Sequence, residues 1–429
     1  MSTLTIHPVE SLRGEIRPPS DKSLTHRSYM LAAIAQGKSV VRNPLRGEDC
    51  EATLDCLIQM GLGANWISRE EVSLTPAEEW SQPIHDLDCG NSGTTMRLLS
   101  GLIASRPLDV KLTGDASLSR RPMKRVAEPL RLMGATVEGD TPPLHIMGTQ
   151  LKGIDYRTPV PSAQIKSCVL LAGLRAEGET AVTETELSRD HTERMLRACG
   201  VRVDTSMTEH GWRAALQGGQ VLSPLQMSVP GDISSAAFMM IAAALVPGSE
   251  AFLRQVGVNP SRTGILDVLD ECGVRYERQN EVEETGEPSC DLVVWNTPDL
   301  SPFKVAGPLV PRLIDEIPVL AVLATQCHGV SQIRDAAELR VKESDRIERV
   351  ASGLRQMGAQ VETFDDGMAI SGPCRLSGAC IDAEGDHRLA MAFAVAGLIS
   401  NGPVVIDGAE AIQTSYPAFE SDLMRLAPT

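Results

Sequence analysis

The sequence is poor in aromatic residues and lacks the short motifs that identify common metal and nucleotide sites. Phe, Trp and Tyr make up only 3% of the 429 residues, so side chains that stack on the bases of single-stranded nucleic acid are scarce. Ten cysteines are present, but none forms a CxxC pair or a Cys/His cluster at zinc spacing. A Walker loop and a serine nucleophile elbow are also missing. We therefore expect no metal and no cofactor.

Positive charge is also in short supply. The 40 Lys and Arg residues face 56 Asp and Glu residues, which gives a net charge of −16, and nucleic acid or an anionic membrane would be repelled. The N-terminal stretch MSTLTIHPVESLRG has no apolar core of signal-peptide length. The Ala-rich runs at residues 30–35 and 238–246 are too short to span a bilayer. Scattered cysteines are typical of reduced core thiols. We expect a cytoplasmic protein with neither a nucleic-acid nor a membrane partner.

What the sequence does contain is internal repetition. Six times, a strand-like stretch ends in a small polar residue and is followed by a helical run rich in Ala and Leu. Five times, a helical run ends in a glycine that leads into a strand, the usual left-handed helix cap. Both markers recur about every 70 residues, which indicates six units of alternating strands and helices. The polar markers are Asp21, Asn91, Ser162, Asp232, Asp315 and Asp386, and the glycines are Gly61, Gly134, Gly200, Gly273 and Gly358.

Six units divide naturally into two lobes of three. The break falls just before the fourth unit, at Val229-Pro230-Gly231, and Pro18-Pro19 marks a comparable entry to the first unit. We expect a first lobe at residues 19–229 and a second lobe at residues 1–18 plus 230–429, joined by hinge strands at these crossings. One interval is longer because of residues 278–290, whose polar and acidic composition predicts a solvated hairpin or loop.

The polar markers suit an anionic ligand. Ser, Asp and Asn act as N-caps, and a helix N-terminus offers free N–H donors and partial positive charge. If a pseudo-threefold axis relates three such helices in each lobe, their N-termini can face one cleft. Basic residues that suit carboxylate and phosphate lie in or near these segments. They are Lys22, Arg27, Arg97, Arg120, Arg121, Lys124, Arg125, Lys166, Arg189, Arg340, Lys342, Arg346 and Arg388.

Candidate acid–base groups lie in the later units. Asp315 precedes an apolar helix, where it is either an N-cap or, if desolvated at a cleft, a general base. Lys342 and Arg346 are four residues apart, which predicts one helical face, with Glu343 beside them. Either a solvated charged helix or an acid placed beside two phosphate-binding residues fits this pattern. Asp386 is predicted to cap a helix.

Ten motifs in order make the chain resemble the 5-enolpyruvylshikimate-3-phosphate synthase family. They are PPSDKSLTHR, GNSGTTMR, GDASLSRRPM, PSAQIKSCVLLAG, SRDHTE, VPGDISSAAF, NPSRTG, IDEIPVLAVLA, LRVKESDR and GDHRLAMAF. The resemblance implies an α/β fold of two lobes, each an inverse α/β barrel of three βαβαββ repeats with pseudo-threefold symmetry. It also implies lobe closure around the substrates.

The resemblance further implies an activity and a set of residue roles. The enolpyruvyl group of phosphoenolpyruvate would pass to the 5-hydroxyl of shikimate 3-phosphate through a tetrahedral intermediate that loses phosphate. Lys22, Asp315 and Glu343 would be catalytic. Shikimate 3-phosphate would be bound by Lys22, Ser23, Arg27, Ser162, Ala163, Gln164, Arg189, Asp315 and Lys342. Phosphoenolpyruvate would be bound by Lys22, Asn91, Gly93, Arg121, Gln164, Arg346 and Arg388. We expect a monomer whose partners are these two small molecules.

Two alternatives stay open from the sequence. One is the sister activity, enolpyruvyl transfer to UDP-N-acetylglucosamine, although the segment GDASLSRRPMKR lacks the reactive cysteine of that enzyme's mobile loop. The other is a non-catalytic anion-binding protein that kept the repeat fold. The acid–base and ionic positions are all filled together, which favours an enzyme.

Overall fold

A computed structural model describes residues 2–427, and their contacts divide the chain into two compact units. We call residues 20–229 and 283–287 the first unit, and residues 2–19, 230–282 and 288–427 the second unit. In this described part of the chain, no helix is both long enough and apolar enough to cross a membrane.

The strands are short, and most have three to six residues. They are β1 (Thr3–Ile6), β2 (Arg13–Ile16), β3 (Ser39–Arg42), β4 (Gly63–Trp66), β5 (Glu71–Thr75), β6 (Leu87–Asp88), β7 (Asp109–Thr113), β8 (Thr136–Glu138), β9 (Leu144–Met147), β10 (Asp155–Arg157), β11 (Glu179–Glu184), β12 (Val203–Thr208), β13 (Gly211–Gln217), β14 (Gln226–Ser228), β15 (Glu250–Gly257), β16 (Tyr276–Glu284), β17 (Glu287–Trp295), β18 (Lys304–Val305), β19 (Gly329–Ile333), β20 (Gln360–Phe364), β21 (Gly367–Gly372), β22 (Cys380–Asp382) and β23 (Val404–Asp407).

Helices alternate with these strands. They are α1 (Lys22–Ala32), α2 (Glu48–Gln59), α3 (Gly93–Ala104), α4 (Lys124–Leu132), α5 (Ala163–Gly173), α6 (His191–Ala198), α7 (Ile233–Leu245), α8 (Gly264–Cys272), α9 (Val310–Leu313), α10 (Ile317–Ala324), α11 (Arg346–Gln356), α12 (His387–Leu398) and α13 (Phe419–Leu426), with 3₁₀ turns at Leu118–Arg120, Gly307–Leu309, Ala337–Val341 and Ala409–Thr414.

The first unit contains three four-stranded sheets of one design. In each sheet a parallel pair of strands continues into an antiparallel hairpin, as in the order β6-β7-β9-β8. The elements β6, α3, β7, α4, β8 and β9 follow one another as a βαβαββ repeat, and β10 to β13 repeat it. The first repeat takes its opening strand from β14, which pairs in parallel with β3. Strand β14 follows the last strand of the third repeat, so the segment after that repeat completes the sheet of the first repeat.

The second unit repeats this design with strands borrowed from the N-terminus. Strand β2 pairs in parallel with β15 in the sheet β16-β17-β15-β2, and β1 pairs with β23 in the three-stranded sheet β1-β23-β22. The sheet β18-β19-β21-β20 is built wholly from one repeat. The N-terminal residues therefore belong to the fourth and sixth repeats, because those sheets lack their own opening or closing strand.

The apolar helices lie inside each unit. Helices α3, α5, α7 and α12 are buried around nearly their whole circumference, and their sequences are correspondingly rich in Ala, Leu and Met. Each unit has one continuous apolar cluster of its own. Central helices with sheets around them are the inverse α/β arrangement, so the fold class expected from the family resemblance is confirmed.

The helix caps follow the sequence prediction closely, with two corrections. All five marker glycines have positive φ, from 79° to 110°, as expected of left-handed caps. Asp21, Ser162, Asp232 and Asp386 accept a hydrogen bond from the first turn of their helices. In the second repeat the cap is Ser92 rather than Asn91. Asp315 caps no helix, because a short turn of helix ends before it and Glu316 occupies the N-cap position of α10.

The prediction of a solvated hairpin or loop at residues 278–290 is correct about the hairpin but wrong in part about its exposure. A hairpin is present, formed by β16 and β17, but β17 is mostly buried and only β16 is mostly exposed. The tip, residues 283–287, belongs to the first unit. There the Glu287 carboxylate lies 2.8 Å from Nδ1 of His191, and both side chains are 2% exposed. The acidic composition predicted full exposure, but the Glu287 carboxylate is buried because it pairs with His191.

The cysteine prediction holds for most of the thiols. All ten are free, and eight are buried. Cys374 is half-buried and Cys380 is exposed, so these two are not core residues. Burial raises the pKa of the Cys168 thiol to about 12 and that of the Cys199 thiol to about 11, as expected of inert core thiols.

Candidate active site

The first turn of α1 presents a lysine on a capped helix end. Asp21 accepts a hydrogen bond from the backbone N–H of Leu24, which fixes the start of the helix. Lys22 follows at once, and its Nζ lies 2.9 Å from Oδ2 of Asp49, with the lysine side chain 18% exposed. Ser23 is half-buried beside it. Lys22 is therefore held by a carboxylate yet still accessible to an anion.

Arg27, one turn further along α1, is buried and fixed by neutral partners. Its Nε donates to Oγ1 of Thr192 and its Nη2 donates to Oγ of Ser167, both at 2.8 Å. Its Nη1 donates to the Ser23 carbonyl at 3.0 Å. Burial lowers the pKa of the guanidinium to about 10. Holding a buried arginine with hydroxyl groups leaves its charge available to a ligand, and Arg189 is close enough for its charge to act on Arg27.

The small-residue loop before α3 organises a second arginine. Arg121 donates from Nη2 to Oδ1 of Asn91 at 2.7 Å and from Nη1 to the Asn91 carbonyl at 3.3 Å. Asn91 in turn donates to Oδ2 of Asp115 at 2.7 Å. A Cβ atom added to Gly93 would lie 3.1 Å from Nη1 of Arg97 and 3.5 Å from Nη1 of Arg121. The glycine therefore leaves space beside two guanidinium groups.

Helix α5 connects to α3 through its second residue. Gln164 donates to Oγ1 of Thr94 at 2.9 Å and accepts a hydrogen bond from Nη1 of Arg97 at 2.6 Å. Ser162 caps α5, and Ala163 is the first helical residue. Contacts from α1 to α5 through Arg27 and from α5 to α3 through Gln164 bring the N-terminal halves of these three helices together. Their N–H donors and basic side chains form one electropositive cluster in the first unit.

In the second unit, three cations surround Asp315. Its Oδ1 lies 3.3 Å from Nη1 of Arg346, 3.5 Å from Nζ of Lys342 and 3.9 Å from Nε of Arg388. Arg388 also donates to the Asp315 carbonyl at 3.2 Å. The Asp315 side chain is 12% exposed. A nearly buried carboxylate is thus within 4 Å of three cationic side chains.

Arg346 is the centre of this second cluster. It is 1% exposed and bonds Oδ2 of Asp386 at 2.8 Å and Oε2 of Glu343 at 2.5 Å. Burial opposes its charge, but Asp386 and Glu343 offset that effect and raise the pKa of Arg346. Burial likewise opposes ionisation of Asp386, and Arg346 holds the pKa of Asp386 below its usual value. Asp386 also accepts from Ser344 at 3.0 Å and from the Arg388 backbone at 2.9 Å.

The prediction that Lys342 and Arg346 share a helical face is wrong. A 3₁₀ turn ends at Val341, and α11 begins only at Arg346 because Asp345 caps it by accepting from Glu348. Lys342, Glu343 and Ser344 lie in the connection between the two. They reach the cluster because this loop, rather than a helix, directs them to it. The alternative of a solvated charged helix is excluded by the burial of Arg346.

Two basic residues grouped with the candidates have other partners. Lys166 is 2% exposed and lies within 2.9 Å of both Glu184 and Glu193, so its charge is used inside the protein. Arg340 pairs with Asp345 at 2.7 Å and donates to the carbonyls of Asp365 and Phe364. Their positions near the motifs were informative, but the side chains point to protein groups instead of a ligand.

Several contributors carry no signal in the sequence. Asp49 follows Lys22 by 27 residues and meets it only through the packing of α1 against α2. Ser167 and Thr192 hold Arg27 but belong to α5 and α6. Asp386 was expected only as a cap, and the structure adds its pairing with Arg346. Among residues 2–427, no group of three His, Cys, Asp or Glu side chains is arranged to hold a metal ion.

The geometry of both clusters suits small polyanions, and comparison with known proteins agrees. Residues 6–423 match the family model described as EPSP synthase (3-phosphoshikimate 1-carboxyvinyltransferase). The chain belongs to the EPSP synthase family. The family expected from the ordered motifs is thus confirmed.

Relatives at the sequence level match from end to end. A 3-phosphoshikimate 1-carboxyvinyltransferase of Bacillus cereus (strain G9842) is 46% identical over 434 residues, which cover 100% of both chains. The enzyme of the same name from Bacillus licheniformis is 48% identical over 425 residues, with 98% of each chain covered. The chain therefore spans the whole length of these EPSP synthase relatives.

Solved structures agree with the fold. An EPSP synthase from Acinetobacter baumannii has a TM-score of 0.88 and 43% identity, and the match covers 100% of this chain and 98% of that one. The enolpyruvyl transferase NikO from Streptomyces tendae has a TM-score of 0.78 at 18% identity, covering 99% and 97%. The second likeness concerns the fold alone.

Proposed function

We propose that this chain transfers the enolpyruvyl group of phosphoenolpyruvate to the 5-hydroxyl of shikimate 3-phosphate and releases phosphate. This is the reaction of the shikimate pathway of aromatic amino-acid biosynthesis, and it makes the chain a transferase. The observation that carries the proposal is the cluster of Asp315, Lys342, Arg346 and Arg388, in a chain that belongs to the EPSP synthase family. Two anionic substrates require such a concentration of cations, and addition–elimination requires carboxylates among them.

We assign shikimate 3-phosphate mainly to residues of the first unit. The residues that would bind it are Lys22, Ser23 and Arg27 on α1 together with Ser162, Ala163, Gln164, Arg189, Asp315 and Lys342. Arg27 supports this role because the side chains that it hydrogen-bonds, Ser167 and Thr192, are hydroxyls rather than carboxylates. The N-terminus of α5 adds N–H donors that suit an anion.

We assign phosphoenolpyruvate to the remaining arginines. Arg121 and Asn91 form one contact pair with Gly93 beside them, and Arg346 and Arg388 each contact Asp315. Lys22 and Gln164 would contact this substrate as well. Arginine forks bind carboxylate and phosphate in a bidentate way, which orients the molecule as well as holding it.

The acid–base steps fall to two carboxylates. Asp315 would accept the proton of the 5-hydroxyl while that oxygen forms a bond to C2 of phosphoenolpyruvate, and Glu343 would give a proton to C3. The resulting tetrahedral ketal expels phosphate as its C–O bond breaks, and loss of a proton from the new methyl group restores the double bond. Lys22 would stabilise the phosphate that leaves. Glu343 and Asp315 both bond to Arg346, which supports their concerted placement.

Three further assignments complete the proposal. The lobes would be residues 19–229 and 1–18 plus 230–429, with hinges near Pro18-Pro19 and Val229-Gly231. The protein would act as a cytoplasmic monomer. Each lobe would consist of three βαβαββ repeats whose central helices point their N-termini to the substrates.

Phosphate release tests the proposed function directly. Purified protein is incubated with phosphoenolpyruvate alone, with shikimate 3-phosphate added, or with UDP-N-acetylglucosamine added. We expect phosphate only in the second reaction. Release with the nucleotide sugar instead would transfer the assignment to the sister activity. No release in any reaction, from protein that is folded by circular dichroism, would favour an anion-binding protein without catalysis.

A further inference from the structure

A buried ionic triad lies directly behind the α5 N-terminus in the first unit. Lys166 of α5 bonds Oε2 of Glu184 at 2.8 Å and Oε1 of Glu193 at 2.9 Å. All three side chains are at most 2% exposed. Burial opposes the charge of Lys166, but the two carboxylates offset it and raise the pKa of the lysine. The lysine therefore keeps its charge, and all three side chains are isolated from solvent.

Glu184 uses this buried position to hold two separate loops. Its Oε1 accepts from the backbone N–H of Ser162 at 2.8 Å, at the cap of α5. The Ser188 hydroxyl donates to Oε1 at 2.7 Å and to Oε2 at 2.8 Å, and the Ser188 N–H lies 3.4 Å from Oε2. Lys166 donates to the Ser188 carbonyl at 3.4 Å. Both backbone groups and the hydroxyl of Ser188, the residue before Arg189, are thus bound by the triad.

The second carboxylate of the triad makes no such contacts. Within the described residues, Glu193 pairs with Lys166 but bonds neither Ser162 nor Ser188. The negative charge of Glu193 acts on Arg27 and partly offsets the lowering of the Arg27 pKa by burial. The two glutamates of the triad are equally buried but differ in the backbone groups that they contact. Glu184 anchors the backbone beside Ser162 and Arg189, and Glu193 does not.

Stability alone is a weak reason for this arrangement. Three buried charges are costly to desolvate, and well-packed apolar residues often replace such groups without loss of stability. A buried carboxylate that binds two loops fixes their geometry, and misplacement of a binding group by about 1 Å can cost up to about a hundredfold in rate. The triad connects strand β11 with the starts of α5 and α6, where the proposed substrate groups lie.

We propose that Glu184 is a positioning residue for shikimate 3-phosphate, because it sets the backbone of Ser162 and Ser188 and thereby the placement of Arg189. The inference rests on the proposed function, since Ser162 and Arg189 are assigned to that substrate. Glu184 touches no substrate. Lys166 serves as its counter-ion and as the second anchor of Ser188.

The test compares Glu184→Gln with Glu193→Gln in the full-length protein. Each variant removes one carboxylate charge from Lys166. In Glu184→Gln, the new amide N–H group faces two other donors, Lys166 and the Ser188 N–H, so Ser188 is released. We expect the KM for shikimate 3-phosphate to rise about tenfold or more, as for loss of hydrogen bonds to a charged group. Maximal kcat and the KM for phosphoenolpyruvate should change by less than about threefold.

Glu193→Gln is the matched control. It should lower the melting temperature about as much as Glu184→Gln but leave the KM for shikimate 3-phosphate within about threefold of the wild type. Ser188→Ala is a milder variant for use if Glu184→Gln does not fold, and it should raise the same KM about threefold or more. The inference would be overturned if Glu184→Gln, or Ser188→Ala in its place, had the same KM for shikimate 3-phosphate as the wild type. It would also be overturned if this KM rose equally in Glu184→Gln and Glu193→Gln.

The outcomes separate this inference from the proposed function. If the wild type does not use shikimate 3-phosphate, the proposed function itself fails. If the wild type turns over normally and the Glu184 and Glu193 variants differ only in stability, the triad is structural and the function stands. Binding of shikimate 3-phosphate alone, measured by titration calorimetry, should weaken in parallel with the rise in KM.

Discussion

Neutralising Asp386 should destabilise the second unit, and the size of the loss can be estimated from the structure. Asp386→Asn keeps the shape of the side chain and an oxygen that can cap α12 by accepting from Arg388. It removes the charge that Arg346 meets at 2.8 Å, in a pair whose side chains are 1% and 0% exposed. Arg346 then keeps only Glu343 and Asp315 as anionic partners among the described residues.

Breaking a buried ion pair costs about 3–5 kcal/mol, and we take about 3 kcal/mol because two carboxylates remain. At about 2–4 °C per kcal/mol for a domain of this size, the melting temperature of the second unit should fall by roughly 6–12 °C at pH 7. Differential scanning calorimetry measures this change. The exposed Asp365→Asn, in the turn between β20 and β21, is the control and should shift it by less than about 2 °C.

The pH dependence gives the same prediction a second test. Arg346 holds the pKa of folded Asp386 below its usual value, and an unfolded aspartate has a pKa of about 3.9. The stability from this group is therefore full above about pH 4–5 and is lost as the pH falls through the lowered, folded pKa. The gap between wild type and Asp386→Asn should be constant from about pH 5 to 8 and shrink in acid. A gap that persists unchanged to about pH 3, or a shift below 2 °C at pH 7, would refute the reasoning.

Two further predictions concern the clusters themselves. Asp315→Asn and Glu343→Gln should each lower kcat by about two orders of magnitude or more and leave substrate affinity largely intact, since each removes a proton-transfer group; near-normal kcat in both, measured by phosphate release, would refute the acid–base assignment. Gly93→Ala should raise the KM for phosphoenolpyruvate more than that for shikimate 3-phosphate, because the new methyl lies 3.1 Å from Arg97 and 3.5 Å from Arg121; an unchanged KM in steady-state assays would separate Gly93 from that substrate.

Much of the fold could be predicted from periodicity. The glycines that end helices, such as Gly134 and Gly273, and the polar caps, such as Asp232, act locally and leave a clear pattern at about 70-residue intervals. What failed were features that depend on distant partners. The hairpin tip looked solvated until Glu287 was seen to pair with His191, which lies 96 residues earlier.

The candidate site could be predicted only in part for the same reason. Family motifs supplied the residue types, but not which cations have partners within the protein. Lys166 and Arg340 resemble ligand residues in sequence, and only three-dimensional packing shows that each meets a carboxylate. The segment from Lys342 to Arg346 has helical spacing, yet Asp345 starts the helix there and leaves the preceding residues in a loop. The N-cap at Asp345, rather than the four-residue spacing of Lys342 and Arg346, therefore determined the local structure.

Identification of the reaction product tests the central claim most directly. The protein is incubated with phosphoenolpyruvate and shikimate 3-phosphate, and the mixture is followed by proton and phosphorus NMR. The account predicts equal amounts of free phosphate and of a product that carries two vinyl protons on an enol ether at the 5-oxygen. Phosphate without that enol ether, or an unchanged mixture with folded protein, would contradict it.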